Sequence, residues 1–88
     1  TALTLASELG HEPCVQALLA AGADVHASDN DGDASLLSAA GKGHESIVWP
    51  LLEAGADKEV KNKYGKTALM RATENGHEAV VTLLSGWE

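Results

Sequence analysis

Apolar residues recur along this chain in short bursts spaced three and four apart, and glycine-bearing polar stretches break the bursts. After Thr67, a hydroxyl suited to capping a helix start, Ala68, Leu69, Ala72 and Thr73 fall at helical spacing. Gly76 closes that helix, because glycine accepts the left-handed backbone that a helix C-terminus favours. Glu78 then opens a second helix with its carboxylate near the positive end, and Val80, Val81 and Leu84 share one face. In the middle of the chain Gly55 ends such a second helix. The stretch from Ala56 to Lys66 follows as a polar, extended finger punctuated by Gly65.

The same pattern occurs three times. Gly-His stands at 10–11, 43–44 and 76–77, a spacing of 33 residues both times. One shift also carries Leu3 to Leu36 and Leu69, Ala6 to Ala39 and Ala72, Val15 to Val48 and Val81, and Leu18 to Leu51 and Leu84. Gly22-Ala23-Asp24 returns as Gly55-Ala56-Asp57, and Gly32 as Gly65. The chain is a repeat array, and neither helix of a unit can bury its face alone, so stacked neighbours make the core.

Composition narrows the function. Within 88 residues, 44% are apolar and 22% charged, which suits one small globular domain rather than a disordered chain. The formal net charge of −7 argues against nucleic acid and anionic membrane surfaces as partners. No apolar run reaches the roughly 20 residues of a membrane helix. The single cysteine excludes an internal disulfide and fits a reducing, cytoplasmic setting. The chain starts at Thr1 and its only Met is Met70, as expected of a processed or excised segment.

Gly-Lys-Thr-Ala-Leu at 65–69, Ala72, Gly76-His77, Val80-Val81 and the Gly-Ala-Asp turns resemble the ankyrin repeat, whose period is 33 residues. The resemblance covers the whole chain, as a single domain over 1–88. It comprises a partial unit at 1–28, a complete one at 29–61 and a partial one at 62–88. It implies an all-α solenoid of helix–turn–helix units with short β-hairpin fingers, here two complete helix pairs and an incomplete or terminal third. It also implies a non-catalytic, monomeric interaction module that grips another protein, or another domain of its parent chain, through a concave face of fingers and first helices. A structural spacer within a larger enzyme or signalling protein is the alternative. The family's Thr-Pro-Leu-His start is altered to Thr1-Ala2-Leu3-Thr4, Ala34-Ser35-Leu36-Leu37 and Thr67-Ala68-Leu69-Met70.

Several constellations that suggest chemistry are better explained by the repeat. His11, His44 and His77 sit at equivalent positions, which stacking separates by roughly 8–10 Å, whereas ligands of one zinc ion lie about 2.0–2.3 Å from it. They are expected to hydrogen-bond backbone instead. His26 lies on a finger, exposed. Asp29 to Asp33 faintly resembles a calcium loop, but aligning Gly32 puts Ala27 at the first ligand and Ser38 at the bidentate one. Gly65-Lys66-Thr67 lacks the earlier glycine of a phosphate-binding loop, that position being Val60. Cys14 corresponds to Ile47 and Val80 and is expected in the core as an inert hydrophobe. No residues are left for catalysis, a metal, a cofactor or a small-molecule substrate.

Read in the family's register, positions not dictated by packing are the candidates for partner contact. They are Asn30, Asp31, Asp33 and Lys42 in the middle unit, and Lys61, Lys63, Tyr64, Lys66, Glu74 and Asn75 toward the third. Charge is polarised along the chain, for residues 1–41 hold six acids and no Lys or Arg, while all six bases follow. Fingers of opposite sign attract one another at about 0–1 kcal/mol per exposed pair. Tyr64 is the natural interface anchor. Three further expectations concern stability. Pro50 should kink or break the second helix of the middle unit near Trp49, at a cost of about 3 kcal/mol. Trp87 either caps the array or stays exposed. With so few units, the melting temperature should not exceed the usual mesophile range, roughly 45–65 °C.

Overall fold

Helix starts and stops follow the 33-residue register. In the computed structural model, which describes residues 1–29 and 32–86, α1 spans Ala2–Leu9 and α2 Glu12–Ala20. They are followed by α3 (Ser35–Lys42), α4 (Glu45–Glu53), α5 (Ala68–Glu74) and α6 (Glu78–Gly86). A third helix pair, expected to be incomplete or terminal, is therefore present as both α5 and α6. Thr1 caps α1 in a reciprocal box with Thr4. Thr67 caps α5 by accepting from the Met70 amide, whereas Ala34 leaves α3 without a side-chain cap. Gly10 and Gly43 end α1 and α3 in left-handed backbone, at φ 78° and 77°.

First helices pack in one row, α1 on α3 on α5, and second helices in another, α2 on α4 on α6. The core lies between the rows, where Leu3, Ala6, Val15, Leu36, Ala39, Val48, Leu51, Ala72 and Leu84 are all buried. α3 has a neighbour on each side and is buried from Ser35 to Gly41. Exposure grows toward both ends. Leu69, the counterpart of buried Leu3 and Leu36, is 39% exposed because no described helix covers that side of α5. The fingers are minimal, with one antiparallel bridge among the described residues, between Ser28 and Ala34.

Of the kink or break expected at Pro50, the break is absent, for α4 runs continuously from Glu45 to Glu53. Ile47, Val48, Leu51 and Leu52 on either side of the proline are buried, and their packing outweighs the lost hydrogen bond. Ser46, whose carbonyl would have accepted from residue 50, is an exposed residue and has access to water. Cys14 is exposed, not in the core. Its counterparts Ile47 and Val80 are buried on α4 and α6, each of which packs against the second helix before it, whereas α2 has no such helix among the described residues.

Candidate partner-binding face

Both fingers are built by an Asx side chain at equivalent positions, Asp29 and Asn62. In the first, Asp29 Oδ1 accepts from the Asp33 amide at 3.0 Å, and the Asp29 amide donates to the Asp33 carbonyl at 3.1 Å. In the second, Asn62 Oδ1 accepts from the amides of Tyr64 and Lys66 at 2.9 and 3.0 Å. The Asn62 amide donates to the Lys66 carbonyl. Side-chain acceptors of this kind replace the backbone partners that a tight turn leaves unmet. Asn62 Nδ2 then reaches back to Asp33 Oδ1 at 2.9 Å, so the second finger is fastened to the first. Gly32 permits that approach, since a Cβ there would stand 3.0 Å from the Lys63 amide nitrogen.

Tyr64 stands on this braced turn with 63% of its surface exposed, and the Lys63 ammonium lies 5.2 Å from the ring centroid. Behind it is a cleft lined by Asp33, Asn62, Tyr64, Lys66, Arg71 and Glu74. Lys66 and Glu74 pair across its mouth. Arg71 Nη1 donates to Asp33 Oδ2 at 2.5 Å, an ion pair whose side chains are only 22% and 11% exposed. The guanidinium lies across Gly41, where a Cβ would be 2.5 Å from Nη2. A glycine inside a helix costs about 1 kcal/mol against alanine, and at position 41 it makes room for Arg71.

The histidines mark the joints. His44 Nε2 bonds the Glu8 carbonyl at 3.0 Å, and His77 Nε2 the Gly41 carbonyl at 3.1 Å, each 36 residues earlier. Asn75 Nδ2 donates to the same Gly41 carbonyl at 2.8 Å. Helix-end carbonyls without an intrahelical partner are thus satisfied by the following unit, as the sequence led us to expect of histidines bonding to backbone. The same unit-to-unit joint recurs at a constant offset, and a family model for ankyrin repeats in three copies matches residues 3–87. The chain belongs to the ankyrin repeat family. Members of this family are generally protein-interaction modules and typically non-catalytic. No curated protein matches this chain in sequence.

The ankyrin register places the candidate residues unequally. Tyr64, Lys66 and Glu74 line one cleft, Lys63 lies against the Tyr64 ring, and Lys61 is exposed in the same segment. Lys42 is exposed at the end of α3. Asp33 is buried at 8% exposure and engaged by Arg71 and Asn62, and Asn75 is exposed but bonded to Gly41, so both hold neighbouring units together. Asn30 and Asp31 lie outside the described residues. Arg71 and Asn62 escaped the sequence reading. Arg71 had one signal, as the only arginine at a position held by Leu5 and Ser38 in the other units. Asn62 had another, as the counterpart of Asp29 ahead of a turn glycine. No helix of the described residues is long and apolar enough to cross a membrane.

Proposed function

We propose that this ankyrin array recognises a protein partner through the face formed by its second finger and first helices, with Tyr64 as the anchoring side chain. The single observation that carries this reading is the braced exposure of Tyr64. Asn62 fixes the turn, Asp33 fixes Asn62, and the ring is left open to solvent beside Lys63. A preorganised aromatic loses little entropy on binding, and aromatic residues supply much of the energy of interfaces. Lys61, Lys63 and Lys66 around it favour a partner segment rich in Asp and Glu, with the charges acting on association rate and selectivity. Glu74, held by Lys66, sets the lower edge of the same face.

The experiment compares proteins captured by the wild-type chain and by the Tyr64→Ala, Lys63→Glu double variant, with Glu53→Lys on the opposite helix row as control. Partners of this face are retained by the control and lost with the double variant, by at least about tenfold for a hot-spot aromatic. Equal capture by all three chains would remove Tyr64 from the interface.

A further inference from the structure

Of the three asparagines in the chain, Asn75 alone is followed by glycine. Glycine has no side chain to shield its backbone nitrogen and turns freely, so that nitrogen can reach the side-chain carbonyl carbon of the asparagine before it. Both residues are exposed to water. The other units have Leu9 and Lys42 in place of Asn75, so the pair belongs to the third unit alone.

The fold holds the two reacting atoms apart. Asn75 caps the end of α5 with φ −94° and ψ 3°. Ring closure needs Cβ to eclipse the Gly76 nitrogen about the Cα–C bond, a rotation far from that ψ. The side-chain nitrogen Nδ2, which would have to leave, donates to the Gly41 carbonyl of the middle unit at 2.8 Å. The Gly76 amide, which would have to attack, donates to the Thr73 carbonyl at 3.2 Å. The reaction is therefore closed to the folded joint and open to a chain in which the last turn of α5 has let go of Gly41.

We propose that Asn75–Gly76 is a self-modification site gated by the joint between the middle and third units, and that its conversion loosens that joint irreversibly. When the joint opens, the Gly76 nitrogen gives up its proton and bonds to Asn75 Cγ. The Cγ–Nδ2 bond breaks, and Nδ2 leaves as ammonia with that proton. Water then cleaves one C–N bond of the cyclic imide. Cleavage at Cγ leaves aspartate, and cleavage at the main-chain carbonyl leaves isoaspartate, with the chain rerouted through Cγ. Water is the sole co-reactant, and nothing is oxidised or reduced.

Both products carry a carboxylate where an N–H donor stood, and a carboxylate has no proton to give. The Gly41 carbonyl is left to His77, as the Glu8 carbonyl is held by His44 in the first joint. The new charge stands at the C-terminal end of α5 and against a last-turn carbonyl of α3, which are the negative ends of both helix dipoles. In isoaspartate the added backbone atom also disturbs the left-handed turn at Gly76. The joint thus weakens with age and in one direction, by chemistry that involves neither Tyr64 nor the lysines around it.

Peptide mapping by mass spectrometry follows the conversion of residue 75, a gain of one dalton, in the full chain held at mildly alkaline pH and physiological temperature. The native chain converts at least about tenfold more slowly than the same chain unfolded in urea, because the open fraction sets the rate. Asp33→Asn weakens the same joint at its distant contact with Arg71 and speeds conversion of the native chain severalfold. Should circular dichroism show that this variant does not fold, urea below the unfolding transition takes its place. Asn75→Asp lowers the urea midpoint further than Asn75→Ala does. Asn75→Gln, whose larger ring closes slowly, keeps its midpoint on ageing while that of the wild type falls. Equal conversion rates in folded and unfolded chains overturn the gate, as does a native rate that neither Asp33→Asn nor mild urea moves. An Asn75→Asp midpoint at or above that of Asn75→Ala overturns the loosening.

Discussion

The imidazole of His77 rests on Gly43 so closely that a Cβ at residue 43 would stand 2.5 Å from Nδ1. Gly43 thus has two reasons to be glycine, its φ of 77° and the ring above it. Among the described residues Gly76 has only the first, with φ 74° and no atom within 4 Å of a Cβ there. Gly43→Ala should lower stability by the left-handed backbone cost of about 1–2 kcal/mol plus the displaced His77. Gly76→Ala should lose the backbone part alone. Urea titration of both variants at low protein concentration measures the difference, and equal losses would deny the ring contact any role.

The Asp33–Arg71 pair joins the middle and third units from inside the structure. Removing one partner leaves the other half-buried and charged, which costs up to about 3–5 kcal/mol for a fully buried pair and less here, about 1–3. Asp33→Asn and Arg71→Met, alone and combined, should show a coupling of about 1 kcal/mol or more in a double-mutant cycle. Repeating the cycle in a Gly41→Ala chain should bring the coupling close to zero, because the new methyl occupies the seat of the guanidinium. A coupling unchanged by Gly41→Ala would mean that the arginine has another route to Asp33.

Two buried hydroxyls, on Ser7 and Ser35, have no hydrogen-bond partner among the described residues. The repeat supplies their natural replacements, for Ser35 corresponds to Ala2 and Ala68, and Ser7 to buried Ala40. Ser35→Ala and Ser7→Ala should each stabilise the chain by about 1 kcal/mol, the desolvation cost of an unmet polar group. Thermal unfolding checks this. A loss of stability at either site would show that the hydroxyl is satisfied in solution.

Pro50 leaves the helix standing but still removes one of its hydrogen bonds. Pro50→Ala restores the bond to the Ser46 carbonyl. It gains most of the roughly 3 kcal/mol helix penalty, offset by the greater freedom of the unfolded chain at about 0.4–1 kcal/mol. The expected net is about 2 kcal/mol, or some 8–16 °C in a domain of this size. An unchanged melting temperature would mean that water already satisfies Ser46 at no cost.

Whatever obeys translation was legible in the sequence. Leu3, Ala6, Val15 and their counterparts announce both the helices and the faces that touch, because identical environments select identical residues. What breaks translation was not. Arg71 and Asp33 are 38 residues apart, off the period, so nothing in the register joins them, and Asp33 reads as one more acid on a finger. The burial assigned to Cys14 followed from Ile47 and Val80, an analogy that holds only for a unit with another stacked before it. Pro50 was weighed by its local penalty alone, which four buried neighbours outweigh. Tyr64 was visible as an aromatic outside the packing register, but the asparagine that aims it was hidden in an ordinary polar stretch.

The enclosure of α3 sets the order in which the protein breathes. Backbone amides there can reach solvent only when the helix pairs on both sides release, whereas α1 and α6 have a described helix pair against them on one side only. Hydrogen exchange should consequently be slowest between Ser38 and Lys42 and quicken outward in both directions, so that the molecule frays from its extremities before its centre yields.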